Sequence, residues 1–398
     1  MDFGFSEQEE KFRQEVRDFL DKESPSSWVK GGMWSDGEIE SEEEWAFWKS
    51  MQRKLAEKGW MGISWPKEYG GLGHPYMEQA IFSEEMGYRG APGEGAGNFT
   101  HFGPALLAWG TEEQKKKYMP PVTRGESIWY DAISEPDAGS DAANIATTAV
   151  QDGDDYIING RKRWGPFAWT CDYFFFFART DPDSTRHHGL SAFIADLNTP
   201  GITMRIIKNM AGYPYWGEIT FENVRLPKEN MLGPKNQGWT VLTTTFNNER
   251  TFMEYFGTMR RNLDLIIRYA KETKRNGEPL ARNSVIRHKL AQLAIEVEVT
   301  RLLYYRVVWT RDQGITLVHE TSLAKAFADK TLKHIVTVGM EIVGLHGQLR
   351  PGSKWASLAA KIQNAYLVNP AWALAGGGTE IQKNIVAWMG LKMPREKA

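Results

Sequence analysis

Apolar residues recur at helical spacing through the first third of the chain. Phe12, Val16, Phe19 and Leu20 fall at i, i+4, i+7 and i+8, which is typical of one apolar face on an otherwise charged helix. Ser6 followed by Glu9 has the spacing of a capping box, so this helix is expected to begin at residue 6. Similar spacing predicts three more helices, over residues 45–55, 77–86 and 104–109.

From Ile128 onward the pattern changes to short β-rich runs divided by turn residues. The Asn159-Gly160 pair stands between residues 156–158 and residues 161–164, which predicts a hairpin with a two-residue turn. Four further strands are predicted, over residues 173–178, 192–197, 202–206 and 218–221.

Helical spacing returns after Gly238 and continues toward the C-terminus. Ile295, Val299, Leu302 and Leu303 are an example at i, i+4, i+7 and i+8. The order helix, sheet, helix predicts an α+β multidomain protein. We expect an N-terminal α-helical domain over residues 1–127, a middle β-barrel-like domain over residues 128–235 and a C-terminal four-helix bundle over residues 236–398.

Charge and composition exclude several classes of function. The 48 Lys and Arg residues and 50 Asp and Glu residues give a net charge of −2, which disfavours nucleic acid as a partner. The single cysteine, Cys171, excludes an internal disulfide framework and any site built from several thiolates. The histidines show no metal-binding spacing, so no metal is expected, and HExxH, Walker A and GxSxG motifs are absent. No membrane span or signal peptide is recognised, and the expected location is the cytoplasm.

The most informative segment is Trp-Tyr-Asp-Ala-Ile-Ser-Glu-Pro-Asp-Ala-Gly-Ser-Asp at residues 129–141. Small residues and hydroxyls after a strand expose the backbone N–H and Ser hydroxyl donors that a flavin edge or a pyrophosphate requires. Taken alone, the segment fits an ordinary turn equally well. The 16 tryptophans of the chain likewise fit either core packing or the binding of flat ligands.

In combination with other motifs, this segment resembles the signature of the acyl-CoA dehydrogenases. Ser-Glu-Pro-Asp-Ala-Gly-Ser-Asp at 134–141 is followed by Ile-Asn-Gly-Arg-Lys-Arg-Trp at 158–164 and Phe-Glu-Asn-Val-Arg-Leu-Pro at 221–227. Asn-Gln-Gly-Trp at 236–239 and Gly-Gly-Thr-Glu-Ile-Gln-Lys-Asn at 377–384 complete the series. These landmarks keep the family's order and spacing over nearly the whole chain. The resemblance implies an acyl-CoA substrate and FAD as cofactor.

The resemblance also places the flavin contacts of the middle domain. It implies that the residues around Ile133 and Ser134 meet the flavin ring, that Gly139 and Ser140 meet pyrophosphate or CoA, and that Trp164 packs against the isoalloxazine. The family usually has Thr where Pro166 stands, and proline offers neither a hydroxyl nor an N–H.

A second set of implied contacts reaches FAD from a neighbouring subunit. The family's glycine turn corresponds to Glu341, Gly344 and Gly347, although Gln is more usual at the first of these positions. The arginine that reaches across from the adjacent protomer corresponds to Thr273, with Lys274 or Arg275 as a substitute. Thr379 and Glu380 complete the expected cofactor contacts.

The catalytic base has to be assigned separately. Dehydrogenation between Cα and Cβ requires a carboxylate that takes the α-proton. Much of the family has this Glu directly before the terminal Gly-Thr, where the present chain has only glycines. Another branch, which includes the isovaleryl and long-chain enzymes, has it on the first helix of the C-terminal domain before an Arg, as in Glu249-Arg250. Glu249 is therefore the expected base, against the alternative of a surface glutamate in an ion pair.

The terminal glycines can also have a role in catalysis. A backbone N–H of Gly376 or Gly377 can closely approach the thioester oxygen and stabilise the developing enolate. The alternative is that these glycines simply end a helix. Arg250 and Ser140 are expected to bind substrate, and the expected wall of a pocket for a bulky, cyclic, aryl-bearing or branched acyl group is aromatic: Trp129, Phe167, Trp169, Trp239, Phe246 and Phe252.

The resemblance further implies an electron-transferring flavoprotein as electron acceptor and a homotetramer or homodimer, with a heteromeric assembly as a variation. Two alternatives to a dehydrogenase stay open. One is a non-catalytic partner subunit in which Pro166 and Thr273 mark a decayed flavin site. The other is a relative with divergent flavin chemistry that uses oxygen or cleaves a C–S or C–C bond.

Overall fold

A computed structural model describes residues 4–25, 28, 39, 41–95, 98–166, 170–249 and 253–395. The chain divides into two compact units. One contains Met1–Glu38, Pro75–Pro92 and Arg250–Ala398, and the other contains Ile39–His74 and Gly93–Glu249. The three predicted domain ranges follow sequence order and stay a prediction.

The helices before the sheet are α1 (Glu7–Glu23), α2 (Glu42–Glu57), α3 (Tyr76–Arg89), α4 (Gly103–Trp109) and α5 (Glu112–Thr123). Those after the sheet are α6 (Gly238–Glu249), α7 (Met253–Glu272), α8 (Ser284–Asp312), α9 (Glu320–Val343), α10 (Lys361–Trp372) and α11 (Thr379–Ile385). The predicted capping box of α1 is confirmed, because Glu9 N–H donates to Ser6 Oγ while Ser6 N–H donates to the Glu9 carboxylate. Val16 and Leu20 are buried on the predicted apolar face of α1.

The strands are β1 (Trp129–Ala132), β2 (Thr148–Asp152), β3 (Asp155–Pro166), β4 (Tyr173–Arg179), β5 (Leu190–Asp196), β6 (Ile202–Lys208), β7 (Pro214–Pro227), β8 (Met231–Leu232), β9 (Lys274–Arg275) and β10 (Glu278–Pro279). Strands β1 to β8 form one sheet in the order β6-β7-β3-β2-β4-β5-β8, with β1 parallel to β4. The core on this sheet is rich in phenylalanine, including Phe174, Phe176, Phe193 and Phe221. The predicted order helix, sheet, helix is confirmed.

The predicted hairpin at Asn159-Gly160 is wrong. Strand β3 continues through these residues, and the reversal of the chain lies between Asp152 and Asp155, which are paired across β2 and β3. The register of β3 with β7 shifts between Ile158 and Gly160, so the Asn-Gly pair forms an irregularity within a long strand. A Cβ at Gly160 would lie 2.5 Å from Thr147 Oγ1, which explains the glycine by close packing.

The apolar spacing noted on α8 does not mark its buried face. Ile295 is 59% exposed, whereas Leu293, Val297 and Tyr304 are buried. Helix α8 carries apolar residues on several faces, so spacing alone selects no unique one. Trp309, on the same helix, is 41% exposed.

Candidate functional site

The segment after β1 is fixed by a tight turn and a buried carboxylate. Glu135 and Ala138 exchange two backbone hydrogen bonds, with N–O distances of 2.9 and 3.2 Å. The Glu135 carboxylate accepts from Ala146 N (2.7 Å), Thr147 N (3.0 Å) and Lys162 Nζ (2.8 Å). These bonds hold the backbone of residues 134–138 in one conformation.

Lys162 is the partner of this carboxylate, and sequence reasoning gave it no role. Its buried ammonium also donates to Phe177 O at 2.6 Å. Burial lowers the pKa of Lys162 to about 8, against the opposing effect of Glu135. Burial by itself would raise the pKa of Glu135, but the charge and hydrogen bond of Lys162 and the bonds from residues 146 and 147 hold it below its usual range. Period-two alternation along β3, with Lys162 between two outward arginines, is the signal that marks it as an inward residue.

The predicted flavin contacts of this segment lie on adjacent stretches of chain. Ile133 is buried, and Ser134 O accepts a hydrogen bond from Arg163 N at 2.8 Å. Gly139 and Ser140 are exposed, and a Cβ at Gly139 would meet no heavy atom within 4 Å. The Ser140 hydroxyl and the Gly139 backbone are therefore open to a ligand.

Trp164 presents a large aromatic surface next to that segment. Its side chain is 47% exposed, and its backbone is in the left-handed region with φ of 71°. The ring meets Trp216 edge to face at 6.5 Å, and the Arg163 guanidinium lies 5.2 Å from its centre. Strained backbone at a bulky exposed residue is frequent at ligand sites. The residues present therefore fit a flat cofactor such as FAD.

Pro166 ends β3, and its Cα pairs with that of Trp216. The side chain of Pro166 lies outside the described residues, as do Phe167 and Trp169.

The residues of the expected aromatic wall differ in how deeply they are buried. Trp129 is 4% exposed and stacks on Phe102 at 3.6 Å and on Tyr173 at 5.0 Å, so it packs among aromatic side chains in the interior. The role of Trp129 in the wall of the pocket stays a prediction. Trp239 is half-buried and meets His187 edge to face at 4.3 Å. Phe246 is half-buried on α6, and Phe252 lies outside the described residues.

The expected base is the last residue of α6. Helix α6 is anchored by buried Val241, Leu242 and Thr245, and Trp109 Nε1 donates to Thr244 Oγ1 at 3.0 Å. This fixes the backbone that leads to Glu249. The side chain of Glu249 and the whole of Arg250 lie outside the described residues. Two other carboxylates, Asp131 and Glu94, would be candidates for the proton acceptor if Glu249 were not the base. Glu94 is buried, and Asp131 is half-buried on β1.

The terminal glycine turn lies between α10 and α11. Gly376 and Gly377 have positive φ values of 66° and 93°. The buried Gln382 side chain donates from Nε2 to both Gly376 O and Gly377 O, each at 2.9 Å. Sequence reasoning missed Gln382, although its position within the terminal motif is a signal that could have singled it out.

Thr379 is held by a second buried cluster. Its Oγ1 donates to Asp329 Oδ2 at 3.0 Å, and Lys325 Nζ donates to Asp329 Oδ1 at 2.6 Å and to Trp372 O at 3.1 Å. Burial raises the pKa of Asp329, against the charge of Lys325. The Thr379 hydroxyl therefore donates its hydrogen bond to Asp329, within the chain. The Glu380 side chain is exposed.

The segment expected to reach a neighbouring subunit is at the end of α9. Glu341 is half-exposed and forms an ion pair with Lys289. Gly344 has a positive φ of 71°, and a Cβ built there would lie 3.9 Å from Arg275 Nη2. Gly347 is buried. The structure therefore brings Arg275 and Gly344 together, and these residues belong to the unit that also holds the glycine turn.

Burial removes Cys171 from consideration as a nucleophile. Burial raises the pKa of its thiol to about 12, so it stays protonated at neutral pH.

Across the described ranges, no helix combines the length and apolarity needed to cross a bilayer.

Three family models match consecutive parts of the chain. They are described as the acyl-CoA dehydrogenase N-terminal domain, matching residues 6–126, the middle domain, matching residues 131–224, and the C-terminal domain, matching residues 236–390.

The alignments with similar curated proteins cover most of this chain and most of each relative. Acyl-CoA dehydrogenase FadE26 of Mycobacterium tuberculosis is 31% identical over 354 residues, covering 86% of this chain and 87% of that protein. The caffeyl-CoA reductase-Etf complex subunit CarC of Acetobacterium woodii is 32% identical over 400 residues, covering 98% and 99%.

Two similar solved structures are superimposable over the full length. The Tcur3481-Tcur3483 steroid ACAD has a TM-score of 0.90 at 29% identity, with 100% of both chains covered. The ChsE4-ChsE5 complex from Mycobacterium tuberculosis has a TM-score of 0.89 at 28% identity, with the same coverage.

Proposed function

The chain belongs to the acyl-CoA dehydrogenase family of FAD-dependent oxidoreductases, and we propose that it converts a bulky acyl-CoA thioester to its 2-enoyl-CoA. Family membership confirms the predicted enzyme class and the predicted cofactor, FAD. The acyl group, the site residues and the partners belong to the proposal.

Two observations support a bulky acyl group in the substrate. Relatives of similar length include a steroid enzyme and a caffeyl-CoA reductase, so this scaffold accommodates ring-bearing acyl groups in related proteins. In the present chain, the terminal turn consists of glycines, which occupy little volume beside a thioester. The substrate class proposed is therefore cyclic, aryl-bearing or branched. Trp239 and Phe246 remain candidates for contact with it.

The observation that carries the catalytic assignment is the glycine turn itself. A base cannot come from Gly376, Gly377 or Gly378, so the carboxylate has to be supplied by another element. We assign this role to Glu249, which takes the α-proton of the thioester, and we assign Arg250 to substrate binding. FAD, when bound, accepts the β-hydrogen as hydride. Backbone N–H groups of the glycine turn stabilise the negative charge that develops on the thioester oxygen.

The cofactor contacts proposed in the middle of the chain are Ile133, Ser134, Gly139, Ser140, Trp164 and Pro166. The exposed Trp164 ring supplies a flat apolar face, and Ser140 supplies an exposed hydroxyl for pyrophosphate or CoA. Those proposed near the C-terminus are Arg275, Glu341, Gly344, Gly347, Thr379 and Glu380. The Arg275 guanidinium beside Gly344 is a cation suited to a phosphate group.

The partners are proposed by analogy with named relatives. One relative is a subunit of a complex with an electron-transferring flavoprotein, and another occurs in a complex of two differently named chains. We propose an electron-transferring flavoprotein as electron acceptor. The proposed assembly is a homotetramer or homodimer, with a heteromer of two related chains as the variation.

The test is the bleaching of the flavin absorbance near 450 nm on adding acyl-CoA thioesters without air. We expect Glu249→Gln to keep FAD and to bleach at least about 100-fold more slowly than the natural protein, the lower range for loss of a general base. Glu113→Gln, which changes an exposed glutamate on α5, is the matched control and should bleach normally. A panel of straight-chain, branched, aryl and steroid-type thioesters then identifies the acyl group.

Other outcomes separate the alternatives. A Glu249→Gln variant that bleaches at the natural rate would assign the base elsewhere, with Asp131 and Glu94 the next candidates. A natural protein that stays colourless after FAD is supplied would be a non-catalytic subunit. Products that differ with and without air would indicate oxygen-dependent or bond-cleaving chemistry.

A further inference from the structure

We infer that Gln382 is a positioning residue, which orients two peptide groups of the glycine turn so that the N–H groups of Gly377 and Gly378 face the bound thioester. This inference rests on the proposed function, because it assigns the donors that stabilise the enolate. Gln382 and the glycine turn both lie in the segment Arg250–Ala398 of one unit.

The Gln382 side chain is completely buried, at 0% exposure. Its Nε2 carries two hydrogens, and each has a carbonyl acceptor at 2.9 Å, one on Gly376 and one on Gly377. One amide group thus fixes two successive peptide planes. A hydroxyl has one hydrogen and an ionised carboxylate has none, so neither can make both bonds.

The direction of the two N–H groups follows from peptide geometry. In a trans peptide, the C=O of one residue and the N–H of the next point in opposite directions, and no cis peptide occurs in the described chain. Because Gly376 O and Gly377 O point at Gln382, the N–H groups of Gly377 and Gly378 point away from it. In the part of the chain that the structure describes, neither N–H has a hydrogen-bond acceptor.

The conformation of the turn depends on the Gln382 hydrogen bonds because its glycines are intrinsically flexible. Gly376 and Gly377 both have positive φ, and glycine populates several alternatives to that conformation at little cost. The far end of the turn is held separately, since Thr379 N donates to Ala373 O and Thr379 Oγ1 donates to Asp329. The Gln382 bonds act directly on the two peptides that carry the N–H groups of Gly377 and Gly378.

Two N–H groups on the same side of a turn form a donor pair for one oxygen. When Glu249 takes the α-proton, the electrons of the broken C–H bond move into a Cα–C double bond and the thioester oxygen becomes negative. Donors that are already oriented stabilise this charge without reorganisation. When the β-hydrogen leaves as hydride, the same electrons form the Cα–Cβ double bond and the carbonyl is restored.

The decisive variant is Gln382→Met, which keeps the length and volume of the side chain but loses both donors. Gln363→Met is the matched control, because Gln363 is also a buried glutamine of this unit and lies on α10. On the FAD-loaded protein, we expect kcat for Gln382→Met to fall about 10- to 100-fold with little change in KM, as for partial loss of oxyanion donors. Gln363→Met should keep the natural kcat.

Binding of a 3-thiaacyl-CoA provides a second measurement that does not depend on turnover. This analogue has an acidic α-proton and sulfur in place of the β-carbon, so it enolises but gives no hydride. We expect the pH midpoint for formation of its bound enolate, read from long-wavelength absorbance, to rise by one to two pH units in Gln382→Met, corresponding to the 10- to 100-fold loss. Amide hydrogen exchange at Gly377 and Gly378 should slow on binding in the natural protein and not in the variant.

Gln382→Glu keeps the inference testable if Gln382→Met does not fold. A buried carboxyl donates one hydrogen bond when protonated and none when ionised, so we expect kcat between those of Gln382→Met and the natural protein, decreasing with pH. Natural kcat and an unshifted enolate midpoint in Gln382→Met would overturn the role of Gln382. Failure of the natural protein itself to bleach would instead overturn the proposed function.

Discussion

Replacing Lys162 by methionine removes the cation from the buried pair with Glu135. The two side chains are 1% and 6% exposed, and Nζ lies 2.8 Å from the carboxylate. At that distance and an effective dielectric of about 20, the attraction is about 6 kcal/mol before the cost of desolvation is subtracted. Removing one partner of a buried pair typically costs about 3–5 kcal/mol, because the other charge stays buried.

The variant leaves specific groups without a partner. The Glu135 carboxylate keeps the N–H donors of Ala146 and Thr147, and Phe177 O loses the hydrogen bond from Lys162 Nζ at 2.6 Å. We expect the free energy of unfolding to fall by about 3–5 kcal/mol. The Ile133 and Ser134 backbone next to Glu135 should also loosen, so FAD should dissociate faster from the variant.

The assay is denaturant unfolding of a double-mutant cycle with Lys162→Met, Glu135→Gln and the double variant. The double variant should lose less stability than the sum of the two single variants, because it leaves no unpaired buried charge. Lys228→Met is the matched control, since Lys228 lies 2.7 Å from Asp154 and both side chains are exposed. It should leave unfolding nearly unchanged. If Lys162→Met cost no more than this control, or if the single effects simply added, the reasoning would be refuted.

Three further predictions concern residues of the unit that contains Gly93–Glu249. The pKa of Lys162 is about 8 in the folded protein, against an ordinary value of 10.5, so the unfolded chain binds more protons between these two pH values. The free energy of unfolding should therefore rise with pH in this range. This rise should be absent in Lys162→Met. Trp164→Gly removes a bulky residue from a left-handed backbone, so the unfolding midpoint should change little while the FAD dissociation constant rises about tenfold, as for loss of about 1.4 kcal/mol; an unchanged constant would contradict the flavin contact. Cys171 should resist alkylation by iodoacetamide at pH 8 until the protein is unfolded, and mass spectrometry of the native protein detects any modification.

Local pattern predicted those features that depend on residues close together in sequence. The capping box of α1 needs only Ser6 and Glu9, and its helix begins as expected. The phenylalanine-rich run became β4 because a short, continuous apolar run is suited to a buried strand. The family was recognisable for a related reason, since its motifs are short, ordered and spread over the whole chain.

Features that depend on long-range packing were not predictable in this way. The Asn159-Gly160 pair has the composition of a hairpin turn, yet pairing with β7 on the other side of β3 keeps the strand continuous. The apolar residues of α8 gave no unique face, because its buried side is set by the helices around it. Trp129 was expected at a pocket wall, and its stack on Phe102 and Tyr173 places it in the interior.

The sequence by itself determined the family, the cofactor class and the order of the elements, because these follow from local periodicity and from motifs. Only the tertiary structure showed that Lys162 neutralises Glu135 and that Gln382 holds the carbonyls of Gly376 and Gly377. The physical reason is that burial and hydrogen-bond partnership are properties of the folded surroundings of a side chain. A lysine or a glutamine has the same letter in the sequence whether it lies in solvent or orients a candidate active site.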